Sequence, residues 1–134
     1  MINQERFIHR FKELVSIPNS SKEEAAMCDY LKKALTELSI PFEEDDTASK
    51  INGNSGNLYA YVEGEKALPP ILLSAHMDSV EPAKKKSCIF HPDGTITSDG
   101  TTVLGADDLA GICAILEAIT SIKEDGSAHR PVEI

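Results

Sequence analysis

Basic residues are scarce in this 134-residue chain: 13 lysines and arginines stand against 22 aspartates and glutamates, giving a net charge of −9. An acidic surface repels phosphate backbones and anionic headgroups, so nucleic-acid and membrane partners are not expected. Aromatic residues are also few, 5% of the chain, which leaves little for bases to stack on. The one basic cluster, Lys84-Lys85-Lys86, reads as a solvated loop face, and the acidic run Glu43–Asp46 as a solvated strand end. Cysteine is limited to Cys28, Cys88 and Cys113, odd in number and without a CxxC pair, so neither a disulfide framework nor a zinc ribbon is indicated. Buried thiols in a reducing compartment are the simplest reading. No run approaches the ~18–20 apolar residues of a membrane helix, and Met1–Arg10 is polar where a signal peptide would be apolar. A soluble cytoplasmic protein is the expectation.

What is present is ordinary for a globular chain, 41% hydrophobic and 26% charged, at a length near the commonest single-domain size. Phe7, Ile8, Phe11, Leu14 and Val15 recur at helical spacing and stop before Pro18, predicting an amphipathic first helix. Ser20 and Ser21 followed by Glu23 and Glu24 offer a capping box for a second helix, with Met27, Tyr30, Leu31, Ala34, Leu35 and Leu38 on its apolar face. A short strand through Phe42, a flexible loop from Thr47 to Gly56 and a strand from Leu58 to Val62 follow. The apolar run Ile71–Ala75 suits a central strand covered on both faces. Asp93-Gly94 predicts a hairpin between Cys88 and Ser98. A third helix then carries Ile112, Ile115, Leu116, Ile119 and Ile122 to about Gly126, and Pro131–Ile134 begins another strand. The order favours an α/β layered domain.

Two segments could carry chemistry. His76 and Asp78 follow the apolar strand, at the edge where open α/β sheets bind ligands. Residues two apart face the same side, so the pair is either a metal ligand with its partner or a satisfied histidine with a capping aspartate; the residues alone leave both open. Asp107 and Asp108 sit at the entry to the third predicted helix. A helix cap explains one carboxylate. The glycine-bracketed, apolar stretch Thr101–Gly105 places the pair at a strand end, where a carboxylate can bridge two cations.

Together, Ser74-Ala-His-Met-Asp-Ser-Val80 and Ser98-Asp-Gly-Thr-Thr-Val-Leu-Gly-Ala-Asp-Asp-Leu-Ala-Gly111 resemble the first two metal-site motifs of the peptidase T family. That family belongs to the co-catalytic zinc peptidases, with glutamate carboxypeptidase and aminoacylase. The helices around Ile17-Pro-Asn-Ser-Ser21 match the family's opening, so the likeness covers essentially the whole chain. It implies an α/β fold, a helix-flanked mixed sheet with a β-hairpin before the third helix. It implies that His76 ligates one of two zinc ions and Asp107 bridges both. Asp78, counted with the catalytic residues, would orient the His76 ring and fix its tautomer. The Asp107–Asp108 peptide bond would be cis. Many relatives have lysine where this chain has Leu109, a departure that bears on subfamily more than on metal.

The resemblance further implies metal-assisted hydrolysis of the N-terminal residue of short peptides, with a glutamate as general base for the attacking water. The family's base and remaining ligands lie beyond Ile134, so residues 1–134 are expected to be the N-terminal part of a catalytic domain, without a lid domain and with little activity alone. Glu133 alternates with Val132 and Ile134 and reads as an ordinary strand position; His9, His91 and His129 read as non-ligands. Two other functions compete: an N-acyl amino acid deacylase of the same family, and a noncatalytic α/β module with at most a weak metal site. An exposed strand edge would favour a homo-oligomer.

Overall fold

A computed structural model describes all residues from Met1 to Ile134. Helix α1 spans Gln4–Ser16, and Asn3 caps it by accepting from the Arg6 amide at 3.0 Å. Its buried stripe of Phe11, Leu14 and Val15 joins Met27 and Leu31 of α2 (Ala25–Glu37) and Leu109, Ile112, Cys113 and Leu116 of α4 (Ala106–Asp125) in one apolar core. Helix α4 is the third predicted helix; Gly126, in the left-handed conformation at φ 62°, ends it.

A second core lies between the helices and a four-stranded mixed sheet. Leu35 and Ile119 meet Ala60, Val62 and Val132 there. The strands are β1 (Phe42–Glu44), β2 (Leu58–Val62), β3 (Ile71–Leu72) and β6 (Val132–Glu133), in the order β1-β2-β6-β3. Phe42 faces Ala60 and Val62 faces Val132 in antiparallel pairs, while β3 runs parallel to β6 with Ile71 opposite Val132. The period-2 alternation of β2 sends Ala60 and Val62 inward and leaves Tyr59 and Tyr61 exposed. Strands β4 (Ile89–Phe90) and β5 (Ile96–Thr97) form the hairpin expected at Asp93-Gly94, with Gly94 at φ 87°.

Several expectations are corrected. The Ile71–Ala75 run is not a central strand: β3 is two residues long, lies at the sheet edge, and leaves Ile71 and Leu72 exposed, because only β6 pairs with it. The loop from Thr47 to Gly56 contains a short helix α3 (Thr47–Ile51), held by Asp45, whose carboxylate accepts from the Thr47 and Asn57 amides. The acidic run is thus partly structural, since Glu44 also accepts from Lys32 and from the Gly56 amide. Ser20 and Ser21 do not cap α2; they donate to Glu81 and Asp78, and the Asn54 side chain accepts from the Ala25 amide instead. Thr101–Gly105 forms no strand, and Val103 ties it to the Pro82 carbonyl at 3.0 Å. Lys86 is buried, so the lysine run is not wholly a solvated face. No helix is long and apolar enough to cross a membrane.

Candidate functional site

Beyond β3 the chain continues alongside β6, with the Leu73 amide donating to the Glu133 carbonyl at 2.8 Å, and then turns to present His76. The His76 ring is held on both sides. Its Nδ1 lies 2.9 Å from Asp78 Oδ1 and 3.0 Å from the Asp78 carbonyl oxygen. Its Nε2 lies 3.0 Å from Asp107 Oδ1, which arrives from the start of α4. Asp78 is itself fixed, because its second oxygen accepts from the Ser21 hydroxyl. The two segments singled out in the sequence, 31 positions apart from His76 to Asp107, therefore meet at one corner.

The two adjacent aspartates divide their roles. Asp108 Oδ1 accepts from the Gly111 amide at 3.1 Å and so caps the helix proper; a Cβ on Gly111 would come within 2.3 Å of that same oxygen. Asp107 makes no such contact, and its side chain is 96% exposed with only His76 beside it. The Asp107–Asp108 peptide bond is cis. Both residues have non-helical backbone angles, so the regular helix starts at Leu109, which is fully buried in the core.

The electrostatics follow from the donor set. Burial lowers the His76 pKa, but the carboxylates of Asp107 and Asp78 outweigh it and the net shift is upward. Asp78 is held below the usual carboxylate range by the Ser21 hydroxyl first, against burial, and by His76. With Nδ1–H donated to Asp78, a neutral ring presents an Nε2 lone pair to the Asp107 carboxylate. Two electron-pair donors 3.0 Å apart call for a cation between them, a proton or a metal ion. A nitrogen and a carboxylate oxygen form a donor set that suits zinc. No group of three or more His, Cys, Asp or Glu side chains forms a metal-holding cluster, since Asp78 grips the far side of the imidazole. Glu133 is exposed on β6, as its place in the alternation predicts, and His9 and His129 lie on the surface. His91 bonds to Thr97 within the hairpin.

Four residues around the corner escaped the sequence reading: Asn19, Ser21, Ser79 and Lys86. Asn19 is fully buried and donates from Nδ2 to the Met77 carbonyl at 2.8 Å and to Ser79 Oγ at 3.1 Å. In the sequence this segment stands out only as the Ile17–Ser21 stretch of the family resemblance, not as a brace for His76. Next to the corner, a cleft of ≈ 680 Å³ lined by Leu31, Leu58, Leu73, Met77, Ile112 and Ile115 opens between the helices and the sheet.

No family model matches the chain. It is 38% identical over 133 residues to the uncharacterized protein YqjE of Bacillus subtilis, covering 99% of this chain and 36% of that one. A probable succinyl-diaminopimelate desuccinylase of Staphylococcus epidermidis is 27% identical over 95% of this chain and 30% of its own length. Peptidase T of Photobacterium profundum is 29% identical over 89% of this chain and 38% of its own. Among solved structures, a tripeptidase from Staphylococcus aureus superposes with a TM-score of 0.95 at 37% identity, over 99% of this chain and 36% of that one. The aminopeptidase PepT of Bacillus cereus superposes at 0.94 with 39% identity, over 98% of this chain and 35% of that one. The 134 residues thus span about a third of the length of the relatives they match.

Proposed function

Because the chain belongs to the peptidase family that includes peptidase T, the tripeptidases and succinyl-diaminopimelate desuccinylase, we propose that it forms one limb of a zinc-dependent aminopeptidase acting on short peptides. His76 Nε2 and Asp107 would hold the metal, and Asp78 would orient the imidazole. The supporting observation is the clamp itself: Asp78 at 2.9 Å on one ring nitrogen and Asp107 at 3.0 Å on the other. When bound, zinc supplies Lewis-acid polarisation of a scissile carbonyl and lowers the pKa of water. The chain's own part is to fix the tautomer of His76 through Asp78, and to keep the Asp107 carboxylate free by leaving helix capping to Asp108.

Zinc takes three or four protein groups, and His76 and Asp107 supply two, so the 134 residues alone are proposed to turn over little or no substrate. A cytoplasmic setting fits the three free cysteines. The unpaired edge of β3, with Ile71 43% and Leu72 68% exposed, supports self-association.

The likeness to a desuccinylase favours a second reading, removal of an N-acyl group. A chimera separates the two: residues 1–134 replace the matching segment of the Bacillus cereus aminopeptidase, and the product is assayed on tripeptides and N-succinyl amino acids. Tripeptide hydrolysis lost in His76→Ala is the expected result. A folded chimera that cleaves only the acylated substrates contradicts the aminopeptidase reading.

A further inference from the structure

Behind the candidate site lies a buried ammonium that the proposed chemistry does not use. Lys86 is 5% exposed, and its three donors all go to neutral oxygens: the Ile17 carbonyl at 2.8 Å, the Ala83 carbonyl at 3.2 Å and Asn19 Oδ1. Desolvation lowers its pKa, with Glu81 opposing. A charged group is costly to bury, and it is tolerated here because every donor is satisfied.

The geometry it imposes reaches both limbs of the site. By accepting from Lys86, Asn19 Oδ1 fixes the orientation of its amide, which directs Nδ2 onto Met77 O and Ser79 Oγ, the residues on either side of Asp78. The Asn19 carbonyl also accepts from the Ser79 amide at 2.8 Å, and Ser20 bridges to Ser79. On the other side, the backbone leading to Asp107 passes directly over this knot. A Cβ built on Gly105 would lie 2.9 Å from Ser79 Oγ and 3.4 Å from Lys86 Cε, and Gly105 has φ 76°, where glycine is favoured.

We propose that Lys86, acting through Asn19, is a positioning residue that holds the His76–Asp78 limb and the Asp107 limb in register. This rests on reading that corner as a metal site, and the experiment separates the two claims. In the apo chain, NMR reads the His76 Nδ1–H resonance hydrogen-bonded to Asp78; calorimetry on the chimera with the Bacillus cereus aminopeptidase then reads zinc affinity. Lys86→Met removes the charge at similar volume. Asn19→Asp keeps a partner for Lys86 but removes the Nδ2 donor, and Lys85→Met is the exposed control.

Lys86→Met and Asn19→Asp are expected to keep thermal midpoints within about 5 °C of the parent, a shift small on the scale of a folded domain. Both should nevertheless lose the protected Nδ1–H signal and bind zinc ~10-fold more weakly, as loss of an outer partner of a metal ligand does. Lys85→Met should match the parent. Folded variants that keep the signal and bind zinc within ~2-fold of the parent overturn the proposal. So does unfolding of both variants, which assigns Lys86 to fold stability alone. If the parent chimera binds no zinc yet both variants lose the signal, the positioning role stands and the metal reading falls.

Discussion

Glu117 of α4 offers a quantitative test of how the N-terminal helix α1 and the long helix are joined. Its carboxylate is 1% exposed; Oε1 and Oε2 receive Arg6 at 2.8 and 2.7 Å, the Asn3 amide at 2.7 Å, and the Ser121 hydroxyl at 3.1 Å. The Arg6 hydrogen bonds, against burial, hold its pKa down at about 2 from an ordinary 4.5. A carboxyl whose folded pKa is depressed stabilises the fold above its unfolded value, and that contribution is lost as pH falls from about 4.5 toward 2. At about 1.4 kcal/mol per pKa unit, the difference amounts to about 3 kcal/mol at neutral pH. Glu117→Gln keeps the shape, removes the charge, and turns an amide toward Arg6. Urea denaturation between pH 7 and 3 should show the variant less stable by about 2–4 kcal/mol at pH 7, with the gap closing as pH falls below 4.5. A gap under about 0.5 kcal/mol at pH 7, or one that stays constant to pH 3, would refute this account of the joint.

Other perturbations probe different parts of the molecule. Leu14→Ala empties a fully buried position between α1 and α4 and should cost about 2–5 kcal/mol in chemical denaturation. Gly64→Ala should destabilise by about 2 kcal/mol or more, because its Cβ would meet the Arg130 and His129 backbone at 2.5 Å; thermal melting reads it. Ser21→Ala frees one oxygen of Asp78 and should weaken zinc binding by calorimetry without a comparable loss of stability. Sedimentation at high concentration should show self-association, reversed by Leu72→Lys on the exposed edge strand.

Much of this architecture is legible in local pattern. The helical stripe of Phe11, Leu14 and Val15, the strand from Leu58 to Val62, and the Asp93-Gly94 turn each act over a few residues and appear where expected. What escaped depends on partners far along the chain. Whether Ile71 and Leu72 lie centrally or at an edge is decided by pairing with Val132 and Glu133, not by their own apolarity. Ser20 and Ser21 look like caps, but oxygens of Glu81 and Asp78, 61 and 57 positions away, compete successfully for their hydroxyls. Lys86 is indistinguishable from Lys84 and Lys85 in sequence; carbonyl and amide acceptors 67 to 69 positions away draw it inward. The site divides in the same way: His76, Asp78 and Asp107 stand in the two motifs that carry the family resemblance, whereas Asn19 and Lys86 are found only by following hydrogen bonds.

The central claim is that His76 and Asp107 converge to hold a metal ion, and a zinc titration by calorimetry of the chimera that carries residues 1–134 in the Bacillus cereus aminopeptidase tests it most directly. Saturable binding of one ion, lost in both His76→Ala and Asp107→Ala while Asp108→Asn retains it, is the predicted result. Binding that Asp107→Ala leaves unchanged, or no binding by the parent chimera, would contradict it.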